Sequence, residues 1–216
     1  MNIKNHCKMG CLIYESMATN GIRISKPLFV AGNMAPDFYI SPFSRSHKRS
    51  TSASRLNKWV KRVYENIDST STGWFSFNLG ILAHYICDFL CYPHTPAFEG
   101  GKWDHYIYEK MQVVDLNDVL PITKGAELNA EELIDVLNGY FIKREQILEQ
   151  NADMAFADIS VAMYVAILAL TCVYHYVSKR ARDVTMCFCS PDYHDMPLLY
   201  PIWVSVRDAG SLTEND

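Results

Sequence analysis

Two pairs of residues, His84 with Asp88 and His105 with Glu109, each set a carboxylate four positions after an imidazole. In a helix, residues four apart share one face about a turn apart. The first pair lies in an otherwise apolar run, Leu79, Ile81, Leu82, Ala83, Ile86, Phe89 and Leu90. A carboxylate facing such a core must be paired or neutralised. A divalent cation does this, and imidazole with carboxylate is a common ligand combination for zinc. His94 falls between the pairs, just past Pro93, so its ring can turn back over the end of the helix that carries the first pair. The series His84, Asp88, His94, His105 and Glu109 therefore reads as a metal-binding set.

Three upstream residues are further candidates. His6 lies on the apolar face of a first helix, Asp37 follows Pro36, and His47 sits in the polar run Ser44-Arg45-Ser46-His47-Lys48. Each also has a plainer explanation. Asp37 fits a turn aspartate after proline, His47 a solvated side chain, and His6 helix-start packing. His175 reads as structural and His194 as a surface or tail residue.

The elements that must position these residues are helical nearly everywhere. His6, Met9, Gly10, Ile13 and Met17 share a face, with Asn5 as the expected cap and Gly21 beyond the end. Lys26 to Ser50 reads as a long irregular connection, broken by Pro27, Gly32, Pro36 and Pro42. Leu56, Trp59, Val60, Val63 and Ile67 mark a second helix. A third, from about Gly73 to Tyr92, should stop at Pro93. A fourth covers Trp103 to about Val114. Asn129 with Glu132 is a capping-box pattern ahead of Leu133, Leu137, Tyr140, Phe141 and Leu148. The last long helix runs from about Phe156 to Arg180, and the pattern is lost after Ala181. No alternating strand pattern or internal repeat is present. The expected fold is all-α, an irregular multi-helix bundle: one helical metal-binding domain over residues 1–207 and a frayed polar tail at 208–216.

The chain has 216 residues, 49% hydrophobic and 20% charged, enough for a substantial core. A net charge of −4 provides no basic field, so no stable nucleic-acid partner is expected. Seven cysteines without a disulfide-framework spacing, and no apolar run of signal-peptide length near the start, point to a cytoplasmic protein with free thiols. Ile159 to Val177 carries no Asp, Glu, Lys or Arg and is long enough to span a bilayer. Its Ser160, Thr171, His175 and three tyrosines favour a central bundle helix instead, with contact at a membrane left open. Nothing in the sequence sets an oligomeric state.

The histidine pattern resembles the zinc-dependent phospholipase C family. That family's signature is His, three residues, Asp, five residues, His, and a further His with Glu four positions on. His84-Tyr85-Ile86-Cys87-Asp88 with Tyr92-Pro93-His94 matches its first part, and His105-Tyr106-Ile107-Tyr108-Glu109 its second. An early His, a loop Asp and a loop His occur in the same order as His6, Asp37 and His47. The resemblance covers roughly the first half of the chain. It implies that His47, His84 and Asp88 hold one zinc and that His94, His105 and Glu109 hold a second. It also implies a third, on His6 and Asp88, completed in the family by the amine and carbonyl of an N-terminal Trp. This chain begins Met1-Asn2 and departs from the family there.

Two or three zinc ions are therefore expected, with Asp37 assigned the role of general base. Clustered divalent ions suit phosphodiester hydrolysis, because they neutralise phosphate oxygens and lower the pKa of a water. The expected substrate is a phospholipid or another phosphodiester. Two other readings stand beside it: a zinc-dependent single-strand nuclease, which usually has Asp where this chain has Glu109, and a metal-binding relative without activity.

Overall fold

The computed structural model describes residues 1–38, 49–65, 72–112, 114, 126–151 and 157–188. Among them are seven α-helices, one short 3-10 turn at Tyr92–His94, and no strand. The helices are α1 (Ile3–Thr19), α2 (Lys26–Phe38), α3 (Arg49–Glu65), α4 (Thr72–Leu90), α5 (Lys102–Met111), α6 (Ala130–Gln150) and α7 (Asp158–Phe188). The all-α bundle read from the periodicity is what forms. Met1–Val177 makes one compact unit and Ser178–Asp216 a second, in which residues 178–188 are described and helical. The polar end at 208–216 lies outside the described residues.

At the start of α1 the cap is Asn2, not Asn5. The Asn2 side chain accepts the Asn5 amide at 3.0 Å, so Asn5 is already inside the first turn. Gly21, with φ of 76°, closes the other end. Its amide reaches Ala18 O, and that of Ile22 reaches Met17 O, the paired bonds of a Schellman ending.

The connection expected over Lys26 to Ser50 is the main correction. Residues 26–38 form α2, and α3 begins at Arg49. Pro27 falls in the first turn, where its missing N–H has no helical partner to lose. Pro36 does interrupt the ladder, but α2 ends two residues later. What outweighs these breakers is burial of Phe29, Gly32, Asn33 and Ala35. Asp37 accordingly sits in the last turn of a helix rather than in a loop.

The helix α4 is apolar on most sides, and Leu79, Leu82, Ile86, Phe89 and Leu90 on it are fully buried. That distribution places it at the centre of the bundle. Its contact with α2 is unusually close. A Cβ on Gly32 would lie 2.0 Å from Phe77 O, and one on Gly80 would lie 2.1 Å from Phe29 O. Only glycine at both positions lets the two backbones touch.

The helix α7 supplies Ala162, Met163, Ala166, Ile167, Leu170 and Val173 to the same core. Asp158–Arg180 is long and apolar enough to cross a membrane by length and composition, yet 61% of its most apolar stretch is buried within the protein. The helix also runs on to Phe188, past the end expected near Arg180. On α6, the Asn129–Glu132 capping box forms as read, and Leu133, Leu137, Phe141 and Leu148 face inward.

Candidate metal centre

Asp88 is the hub. It is 1% exposed, near the end of α4, and each of its oxygens meets nitrogen. Oδ1 lies 3.1 Å from His6 Nε2 and 3.6 Å from His94 Nε2, while Oδ2 lies 3.3 Å from His84 Nε2. Burial by itself would raise its pKa. His94, the Met1 amine, His84 and His6 overcome that and hold the carboxyl well below the usual carboxylate range.

On one side of Asp88, α1, α2 and α4 bring together His6, Asp37 and His84. The His6 and His84 rings stack with centroids 3.9 Å apart. His84 Nδ1 lies 2.9 Å from Asn33 O, and the Asn33 amide donates to His6 O at 2.7 Å. One residue of α2 thus holds the His84 ring and the backbone of α1 at His6. Asp37 Oδ1 lies 3.8 Å from His84 Nε2. Burial pushes the Asp37 carboxyl up to about 6. The same cause lowers His6 to about 3, which leaves its imidazole neutral, the form that ligates metals.

On the other side stand His94, His105 and Glu109. His105 Nε2 lies 2.8 Å from Glu109 Oε1 across one turn of α5, and His94 Nε2 lies 3.7 Å from the same oxygen. Burial lowers the pKa of His94 as well. Glu109 is displaced downward: burial opposes this, but the His105 and His94 contacts and the Met1 amine prevail.

The Met1 amino nitrogen lies among these groups, 2.9 Å from Asp88 Oδ1, 2.6 Å from His94 Nε2 and 2.8 Å from Glu109 Oε1. Burial works against its charge, yet Asp88 and Glu109 raise its pKa to about 11. A cation is what the buried Asp88 and the partly buried Glu109 require here, whether an ammonium or a metal ion supplies it.

The donor set fits a metal ion. Each of the two groups has its ligand atoms within 4.8 Å of one another. Tetrahedral N/O ligands at about 2.1 Å from an ion stand about 3.4 Å apart. The separations of 3.3, 3.6, 3.7 and 3.8 Å around His84 and His94 cluster near that value. Asp37 Oδ2 and His6 Nδ1 are buried with no hydrogen-bond partner among the described residues. His47 lies outside the described residues.

A supporting network was not read from the sequence. Asp158, at the start of α7, accepts Arg144 Nη2 at 2.6 Å through one oxygen. Its other oxygen accepts the Tyr92 amide and the Tyr108 hydroxyl, each at 2.6 Å. Arg144 also donates to Leu90 O at 3.4 Å. These bonds hold the chain just ahead of His94 and the residue just ahead of Glu109. One signal was available: Arg144 falls on the face of α6 that carries Leu137, Phe141 and Leu148, a place that demands a buried partner for its charge.

A family model described as zinc dependent phospholipase C matches residues 5–150. No curated protein matches this chain, and no solved structure matches it.

Proposed function

The chain belongs to the zinc-dependent phospholipase C family, and on that premise we propose that it cleaves phosphodiester bonds of phospholipids. The observation that carries this reading is Asp88, a buried carboxylate in reach of three imidazoles from three separate elements. Solvent-excluded charge of that kind is rare unless a cation shares it.

In this reading His84 and Asp88 hold one zinc, with His47 as a further ligand. His94, His105 and Glu109 hold a second. A third falls to His6 and Asp88, where the Met1 nitrogen stands in the place of the family's Trp amine. Zinc, when bound, neutralises phosphate oxygens and lowers the pKa of a water.

The remaining work falls to the chain's own groups. Asp37 is the general base, taking the proton from the water that attacks phosphorus. Its side chain is 19% exposed where that of Asp88 is 1%, which puts it nearer the open side of the cluster. Asn33 and Asp158 keep the histidines and Glu109 in place through the bonds described above.

The test compares Asp37→Asn with His84→Ala, measuring zinc content, melting temperature and turnover on short-chain phosphodiesters. Asp37→Asn should retain zinc and stability while turnover falls on the order of 10²- to 10⁴-fold. His84→Ala should lose zinc, stability and activity together. Zinc loss in Asp37→Asn would make Asp37 a ligand. A zinc-loaded wild type inert on the whole panel would leave a metal-binding relative without this activity.

A further inference from the structure

Beside the cluster, on the outer side of Glu109, is a cavity of about 450 Å³ between the start of α1 and the end of α5. Lys4 and Lys8, a turn apart on α1, and Lys110 on α5 all line it. The chain as a whole is acidic, at −4, so three ammonium groups around one cavity run against its average charge. Among the described residues the lysine and arginine ion pairs involve Lys26, Arg49, Lys61 and Arg144, and none involves these three. The single acid in the wall is Glu109, whose carboxylate is directed to His105 and His94.

The walls are fixed. Asn2 Nδ2 donates to Glu109 O at 2.8 Å, and Asn5 Nδ2 donates to the same oxygen at 3.2 Å, tying α1 to α5 across the cavity floor. The Lys110 ammonium sits over the Tyr106 ring, 4.8 Å from its centroid, which orients it by a cation–π contact. A cavity with a set floor, unneutralised cations at its rim and one edge shared with the phosphodiester-cleaving cluster has the chemistry of an anion subsite.

We propose that this cavity seats a second phosphate of the substrate, a phosphomonoester carried on the head group, while the scissile phosphodiester lies at the metal cluster. The inference rests on the hydrolase reading and specifies its substrate class: phospholipids whose head group is itself phosphorylated. Each exposed lysine contributes modestly, and three together give a preference on the order of tenfold. That preference weakens as salt screens the rim.

A matched pair of soluble substrates tests this: dibutanoyl phosphatidylinositol 4-phosphate against dibutanoyl phosphatidylinositol. Zinc-loaded protein should favour the phosphorylated head group about tenfold in kcat/KM. The triple variant Lys4→Gln, Lys8→Gln, Lys110→Gln should bring the ratio close to one. Equal use of both substrates, or a ratio unchanged in the triple variant, overturns the subsite and leaves the hydrolase reading standing.

A second arm does not depend on turnover. Amine labelling read by peptide mass should show Lys4, Lys8 and Lys110 protected by the phosphoinositide but not by phosphatidylinositol, with Lys61 as the unprotected control. Protection here without turnover would support the cavity and remove the hydrolase reading. No protection, or equal protection by inorganic phosphate at the same concentration, would overturn a head-group site.

Discussion

The two halves of the candidate metal centre are assembled in different ways. His6, Asp37 and His84 come from three helices, spread from position 6 to position 84, and two of those helices meet backbone to backbone at Gly32 and Gly80. His94, His105 and Glu109 come from one short stretch, a 3-10 turn and α5, and all but His94 are partly exposed. The first half is therefore part of the core, so its geometry and the stability of the fold depend on the same contacts. The second half is a local construction fastened to the core by Asp158. Asp88 belongs to both. Loss of a ligand should cost stability on the first side and mainly metal on the second.

The sharpest way to break this contrast is Asp88→Asn, which keeps shape but removes the charge both halves share. Zinc should be lost from both sides. Stability should fall by about 3–5 kcal/mol, the usual result of leaving one partner of a buried charge set uncompensated. Metal analysis with a denaturant titration would check it, and full zinc occupancy would end the view of Asp88 as a hub.

Gly80→Ala acts on the first half alone. A methyl 2.1 Å from Phe29 O and 2.7 Å from Asn33 N must push α2 away from α4. The cost should lie at or above the upper end of the roughly 1–3 kcal/mol typical of overpacking. Zinc held by His6 and His84 should weaken, while that on His105 and Glu109 remains. If both sides lost metal equally, the halves would not be separable.

Tyr108→Phe removes one bond to Asp158 and keeps the ring. Stability should drop by about 1.5 kcal/mol, since the acceptor is charged. Zinc on the second half should dissociate faster in a chelator competition, with the first half unchanged. Identical release from both halves would show that Asp158 does not act as the fastening. The smallest effect on stability belongs to His105→Ala. This half-buried ligand should take one zinc per chain with it and shift folding stability by less than about 1 kcal/mol. A large loss of melting temperature would mean that the second half, too, is core.

The same contrast explains what was legible in the sequence. His84 with Asp88 and His105 with Glu109 are local patterns, because helical period alone puts residues four apart on one face. The capping box at Asn129 and the stop near Pro93 are local in the same way. Residues 26–38 were not legible as a helix, since Pro27, Gly32 and Pro36 each weaken one when read in isolation. Gly32 is there to let α4 approach, and that reason appears only once the two backbones are side by side. Asn33 was silent likewise, because it acts through a carbonyl and an amide that two distant histidines happen to meet. Arg144 and Asp158 are far along the chain from every histidine of the site, and only the folded bundle shows what they hold.

The glycine contact between α2 and α4 has one more consequence, for the thermodynamics of loading the site. Asp37 and His84 are spaced by two helices that cannot slide past each other without driving a side chain into a carbonyl. On its helix side, an ion entering beside His84 and Asp88 meets a frame already set by protein contacts and has little chain to gather up there. Its binding there should bury almost no new apolar surface, so the heat-capacity change measured by titration calorimetry should lie near zero. Small zinc domains that fold around their metal behave in the opposite way, with the ion providing the order.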